Sequence, residues 1–358
     1  MEKGMNIRWV VTATAAAALM ATTAPALIAQ NQPNRREEER RRQAEQREAQ
    51  AVVKIVDAVA AGKEPAPADI PVSWVEHYFV KGIEGTSYIP YTLSIDRSTM
   101  ARPNAALYVR AVDRNAPPPP PPAPPSPDEQ PDPRRRPPAP EYPWEDIQIG
   151  EVGADGSLSR AMQLKPGEYD LFIVVKEIAG EGRNQPPPKM GLLRRTISVR
   201  DLWAPELIIS TPIFASSVEP LATPLSTEDQ RANPFTFGGS LKVVPAPGAR
   251  FKSGGEMQML FWIYGTQHNN GVPDLTIDYN FHTKTADGEK FFNKTQPQAV
   301  NASTLPPGFS MTAGHQVLGF LGIPLKSFPA GDYRVEFKIT DTLSGKTLTE
   351  NATFTVES

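Results

Sequence analysis

The chain has 358 residues, with 37 Lys and Arg against 40 Asp and Glu, and no cysteine. A net charge of −3 removes the electrostatic case for nucleic acid, and the absence of thiols excludes disulfides and a lipid anchor on cysteine. The length suits about two domains of ordinary size, each held together by core burial alone.

Lys3 and Arg8 precede the apolar, Ala-rich run VVTATAAAALMATTAPALIA, and Ala24-Pro25-Ala26 supplies a small-x-small cleavage site. This pattern predicts a bacterial-type secretory signal peptide over residues 1–29 and a mature chain that is periplasmic or extracellular. No later run approaches the roughly 18 apolar residues of a membrane span, so no transmembrane segment is expected in the mature chain.

Residues 30–65 predict one helix, charged first and amphipathic last. Glu37 to Arg41 and Glu38 to Arg42 are favourable i,i+4 pairs. Val52, Ile55, Val56 and Val59 then share a helical face, and Gly62 stands where a helix C-terminus wants it.

From residue 70 the apolar period changes to two, bounded by Gly, Pro, Asn and Asp clusters. Strands are expected at 72–81, 87–96, 105–113, 145–151, 157–164, 168–177 and 193–200. In YIPYTLSID, Ile89, Tyr91, Leu93 and Ile95 take one face, and Asp155-Gly156 marks a hairpin turn. Residues 115–143 carry 15 of the 39 prolines. Read as a tether, this run would leave about three strands before it and four after, and neither set makes a sandwich. It is therefore read as a proline-rich, disordered insertion within one fold.

The second half continues with strands at 206–211, 241–245, 256–265, 273–284, 289–294, 315–321, 332–341 and 347–357. Leu275, Ile277, Tyr279 and Phe281 alternate with polar residues in DLTIDYNFHT. In EMQMLFWIYG both faces are apolar: Met257, Met259, Phe261 and Ile263 on one, Leu260, Trp262 and Tyr264 on the other.

Two segments align without gaps, LKPGEYDLFIVV from Leu164 and FPAGDYRVEFKI from Phe328, and each is followed by a closing strand, TISV and TFTV. This ending resembles the last hairpin of immunoglobulin-like and fibronectin type III-like sandwiches in bacterial secreted proteins. The resemblance implies an all-β chain, two tandem immunoglobulin-like antiparallel β-sandwiches after the N-terminal α-helix, spanning 66–202 and 203–358. It implies that Tyr169 and Tyr333 are structural tyrosine corners, each hydroxyl bonding back to upstream backbone. It also implies a core tryptophan, for which Trp262 stands in the right kind of strand, although the paired cysteines of true immunoglobulin domains are absent.

The chemistry-bearing residues are sparse. His77, His268, His282 and His315 fall at no ligand spacing, so neither metal nor cofactor is expected. The run LSGKT at Leu343–Thr347 lies between two strands and lacks the first glycine of a phosphate loop, which makes it a hairpin turn. No nucleophile elbow occurs. The expected role is a non-catalytic envelope protein with a protein partner, structural or interacting. A carbohydrate-binding module is the alternative, its platform an exposed face of Trp262 and Tyr264 with Phe235 and Phe237; a hydrolase without a recognisable motif is the second. The same four rings also fit a plainer account, in which they pack under a neighbouring loop or domain.

Overall fold

The computed structural model describes residues 49–116, 141–178 and 187–358. The signal segment, the charged half of the N-terminal helix and most of the proline run lie outside the described residues. Within them, residues 49–60 are helical (α1), and Gly62, at φ 67°, takes the left-handed cap conformation that closes the helix.

Eight strands follow: β1 (Val72–His77), β2 (Val80–Lys81), β3 (Ser87–Ile95), β4 (Asn104–Asp113), β5 (Trp144–Glu151), β6 (Ser157–Leu164), β7 (Gly167–Glu177) and β8 (Met190–Val199). One sheet runs β1-β3-β2 with β6 on the other side of β3, and the other runs β5-β4-β7-β8. Ile89, Tyr91, Leu93 and Ile95 from the first sheet meet Leu107, Val109, Leu171 and Ile173 from the second in one buried core. The period of two therefore does what it implies: alternate side chains of each sheet close on the other sheet, and the result is a β-sandwich.

The helix α1 covers the outer face of the second sheet. Val52 and Val56 are fully buried against Tyr108, Phe172, Val174 and Met190. At its end Asp57 reaches Arg110 of β4 at 2.6 Å, and Arg110 also pairs with Glu145 of β5 at 2.9 Å. The buried guanidinium lies 4.0 Å over the Tyr142 ring, so its flat face is covered as well as its donors paired.

β4 and β5 are hydrogen-bonded neighbours from Asn104↔Glu151 to Ala111↔Trp144. Residues 115–143 thus leave one strand and re-enter the next strand of the same sheet, and the chain on either side of them contributes to one core.

The second half forms β9 (Ile208–Ile209), β10 (Ile213–Pro220), α2 (Thr227–Ala232), β11 (Thr236–Phe237), β12 (Leu241–Pro245), β13 (Arg250–Lys252), β14 (Glu256–Tyr264), β15 (Leu275–Thr285), β16 (Gly288–Lys294), β17 (Gln298–Val300), β18 (Val317–Pro324), β19 (Gly331–Asp341) and β20 (Thr347–Glu357). One sheet runs β11-β12-β10-β14-β18, with β9 also on β14; the other runs β13-β20-β19-β15-β16, with β17 also on β15. Met257, Met259, Phe261 and Ile263 face Leu275, Ile277, Tyr279, Phe281 and Phe337 across the second core, with Phe261 stacked on Phe337 at 4.7 Å.

Several expectations need correction. The strand expected at 72–81 is broken: a bulge between Trp74 and Glu76 precedes its end at His77, and only Val80–Lys81 resumes. The strand expected at 206–211 shrinks to Ile208–Ile209. β10, β11, β13, β17 and α2 lie outside the expected elements; β11, β13 and β17 span only two or three residues, and such short strands are made by their partners rather than by any local period. Trp262 is not a core tryptophan: parity places it opposite Phe261, on the outer face of its sheet.

The Gly-acid-Tyr repeat has a direct physical account. Tyr169 donates its hydroxyl to the Lys165 carbonyl at 3.0 Å, and Tyr333 donates to the Pro329 carbonyl at 2.7 Å, each four residues back. Both rings are buried, and Gly167 yields to one of them: a Cβ there would stand 3.2 Å from the Tyr169 hydroxyl. Tyr169→Phe and Tyr333→Phe each keep the ring and remove one bond to a carbonyl, so each should lower unfolding stability by about 1 kcal/mol in a denaturant titration. Unchanged midpoints would show that the corner bonds do no stabilising work.

Candidate functional site

The aromatic residues singled out in the sequence come together at the junction of the two sandwiches. β14 carries Leu260, Trp262 and Tyr264 on its outer face, and β11 brings Phe237, with Phe235 just before it. Tyr78 and Val80 enter the same cluster from the first sandwich and Leu202 from the connection. Phe237 lies 4.7 Å from Trp262, and Phe235 meets Tyr78 edge-on at 6.0 Å.

Trp262 is 7% exposed, Tyr264 5%, Phe235 9% and Phe237 8%. No ring among them offers a free face, so the platform a sugar would stack on is not formed here, and the cluster is instead the packing layer between two folded bodies. The doubly apolar pattern of β14 follows directly: one face closes the second core, and the other closes the junction.

Hydrogen bonds cross the junction as well. The Phe79 amide donates to Thr211 Oγ1 at 3.1 Å, and the Thr211 amide donates back to the Phe79 carbonyl at 2.9 Å. The Lys81 amide donates to Tyr264 Oη at 3.0 Å, and Tyr88 Oη donates to the Pro234 carbonyl at 2.8 Å. Burial raises the pKa of both phenols, Tyr88 to about 12, so both remain neutral and able to play these parts. α2 lies against β6, and the turn at 247–249 lies against β1, so the second half grips the first at further points.

The junction is open at Trp203. The Trp203 ring is 42% exposed, with its indole N–H on the Thr86 carbonyl at 2.8 Å and the Lys81 ammonium 4.1 Å over its face. Ile83, in the turn that Thr86 closes, is 63% exposed. Burial lowers the Lys81 pKa and nearby Asp201 partly offsets it. No local pattern in the sequence marks Trp203; its place on a rim with Lys81 and Ile83 is set by the fold.

His268 and His315 play the same part in two loops. His268 Nδ1 accepts the Gly271 amide at 3.2 Å, and His315 Nδ1 accepts the Ser310 amide at 3.0 Å, so each stabilises a loop turn. Among the described residues no group of three His, Cys, Asp or Glu side chains could hold a metal. The LSGKT segment is the β19–β20 hairpin turn, with Gly345 at φ 70°.

His77 is different, since its Nδ1 accepts the Trp74 indole N–H at 3.1 Å in a part-buried bond within β1. Burial, with Arg195 nearby, lowers its pKa to about 4. The unfolded chain, with a pKa of about 6.5, then binds a proton that the folded chain refuses, so stability is complete above pH 6.5 and falls as pH drops toward 4. The loss should reach about 2 kcal/mol once its partial exposure is allowed for. Neighbouring Glu76, raised by burial, acts in the opposite sense and softens the slope. A His77→Gln variant should flatten the stability profile between pH 6.5 and 4; an unchanged profile would assign the acid sensitivity elsewhere.

No family model matches the chain, and no curated protein matches it in sequence. Among solved structures it is similar to trypsin-activated alpha-2-macroglobulin of Escherichia coli, at 8% identity and a TM-score of 0.22 over 82% of this chain and 17% of that one. It is similar also to Salmonella alpha-2-macroglobulin reacted with methylamine, at 10% identity and 0.20 over 82% and 17%. A DUF4785 family protein of Legionella pneumophila matches at 9% identity and 0.20, over 76% of this chain and 56% of that one. The chain spans less than a fifth of either alpha-2-macroglobulin, and these likenesses bear on no site within it.

Proposed function

We propose that the chain is a non-catalytic envelope protein, exported to the periplasm or beyond, in which two immunoglobulin-like sandwiches form a structural or protein-interaction module. The immunoglobulin-like part of this reading is supported by the two tyrosine bonds, four residues back in each half. Export is supported by the charged, then Ala-rich N-terminus with its small-x-small site.

The observation that carries the functional reading is the junction. Among the described residues, an aromatic cluster outside the two cores joins the sandwiches, through paired backbone bonds and two phenol bonds, with the Trp203 ring exposed at its rim. Aromatic rings placed so hold two bodies at a set angle, which suits a spacer or a presenting scaffold rather than a substrate pocket.

The test is affinity capture from the native envelope with the full mature chain as bait, and Trp203→Ala as the matched control. A defined protein partner, lost or weakened with Trp203→Ala, supports the reading. A chain that captures no partner and stays free in its compartment counts against it. Retention on polysaccharide would favour the carbohydrate alternative at another surface, and turnover of ester, glycoside or peptide substrates that survives stringent purification would replace the reading with a hydrolase.

A further inference from the structure

A strand at a sheet's edge exposes a row of unpaired backbone groups, and proteins blunt such edges with charge, bulges or cover. The long edge strands here follow that rule with one exception. β1 carries Glu76 and a bulge, β5 carries Glu145, Asp146 and Glu151, β8 carries Arg194 and Arg195, and β16 carries Glu289, Lys290 and Lys294. β6 carries Arg160 and has α2 against it.

β18 holds the same place in the second sandwich that β6 holds in the first. Each pairs antiparallel with the strand that carries the core-facing row, β3 or β14, and each ends shortly before a Gly-acid-Tyr strand. Yet β18 reads VLGFLGIP, without a charge, a bulge or an interior proline. Among the described residues β14 is the one strand hydrogen-bonded to it. Val317, Leu321 and Ile323 face the second core, and Leu318 and Phe320 lie half-buried on the junction face.

The sequence of β18 also fits itself. In an antiparallel pair, residues directly opposite share a face, so a two-fold axis through the sheet must pass at a residue rather than between two. Placed at Phe320, it sets Gly319 opposite Leu321 of the partner copy and Leu318 opposite Gly322, with Val317 opposite Ile323. Leu321 then falls against a glycine on one face and Leu318 on the other, Phe320 meets Phe320 of the second copy, and no charge meets a like charge.

We propose that β18 is a homodimer edge: two copies of this chain pair their β18 strands antiparallel about Phe320, and the β12-β10-β14-β18 sheet runs on into its counterpart. This deepens the interaction reading above, on which it rests, by naming a second copy of the chain as a partner. Backbone hydrogen bonds supply the attraction, and the Gly-Leu alternation supplies the register.

The absence of native cysteine makes the test clean. Phe320→Cys in the full mature chain should cross-link to its own copy under mild oxidation or with a short bis-maleimide, on the order of ten-fold faster or more than Phe291→Cys on the charged edge β16. The unaltered chain should show a concentration-dependent monomer–dimer equilibrium by sedimentation velocity. Leu318→Lys, which installs the charge the other edges carry, should be monomeric while keeping the circular-dichroism spectrum of the folded chain, even where its half-buried place on the junction face lowers the melting point. A chain that stays monomeric to about 100 μM, with the Phe320→Cys variant cross-linking no faster than Phe291→Cys, overturns the proposal. Association that survives Leu318→Lys, or a Phe320→Cys variant that cross-links only to a different protein in an envelope extract, overturns it equally. A monomeric chain that still captures an envelope partner removes the self-pairing and leaves the interaction reading in place.

Discussion

Trp262→Ala should destabilise the chain by about 3–5 kcal/mol, the usual cost of truncating a large ring in a close-packed layer. Trp262 is 7% exposed, contacts Phe237 at 4.7 Å and lies between the two sandwiches rather than inside either. The loss should therefore fall on the coupling between them. Differential scanning calorimetry of the unaltered chain is expected to give one cooperative transition, and the variant two, as each sandwich unfolds around its own core. A variant that loses less than about 1 kcal/mol and still melts in one step would mean that the hydrogen bonds of Phe79, Lys81 and Tyr88 suffice to couple the halves.

Asp341→Ala should cost about 3 kcal/mol or more, because it strands several donors at once. Asp341 is fully buried at the end of β19. One carboxylate oxygen accepts the amides of Leu343 and Ser344; the other accepts the Gln267 amide at 2.9 Å and Ser344 Oγ at 2.7 Å. The side chain thus ties the β19–β20 turn to the loop after β14. Asp341→Asn should recover little, since its NH2 group must face donors on one side or the other. Hydrogen exchange checks this: the amides of 267, 343 and 344 should lose protection together. Loss at 343 and 344 alone would confine the role to the turn.

The long strands were legible because their side chains alternate for seven residues or more. Ile89 to Ile95 and Leu275 to Phe281 fall on the predicted faces, and the two apolar faces of β14 sort as read. Tyr169 and Tyr333 stood out through the resemblance of their repeated Gly-acid-Tyr hairpin to known sandwiches, and each makes a bond four residues back. What could not be read was what covers an outer face. Trp262 and Tyr264 carry the same letters whether they meet a sugar or a second domain, and only the chain path through Tyr78 and Val80 decides it. α2 did leave a signal that was missed: Ser226 accepts the Asp229 amide at 3.1 Å and bonds its carboxylate at 2.6 Å, a capping pair visible in STEDQ.

The two-sided character of β14 has a kinetic consequence. A half-buried strand resists slipping by one residue, since slippage would turn its apolar set to water. In β14 the two sets are both apolar, so a slipped strand would still bury Leu260, Trp262 and Tyr264 in one place and Met259, Phe261 and Ile263 in another. Hydrophobicity alone does not choose between these threadings. The choice falls to a few specific fits: the Trp262 amide on Ser210 Oγ at 2.9 Å, the Tyr264 hydroxyl under the Lys81 amide, and Gly319, where any Cβ would sit 2.6 Å from the Phe261 ring. These weak pins, and not the strand's large apolar area, are what separate the native alignment from its nearest misfolded competitor.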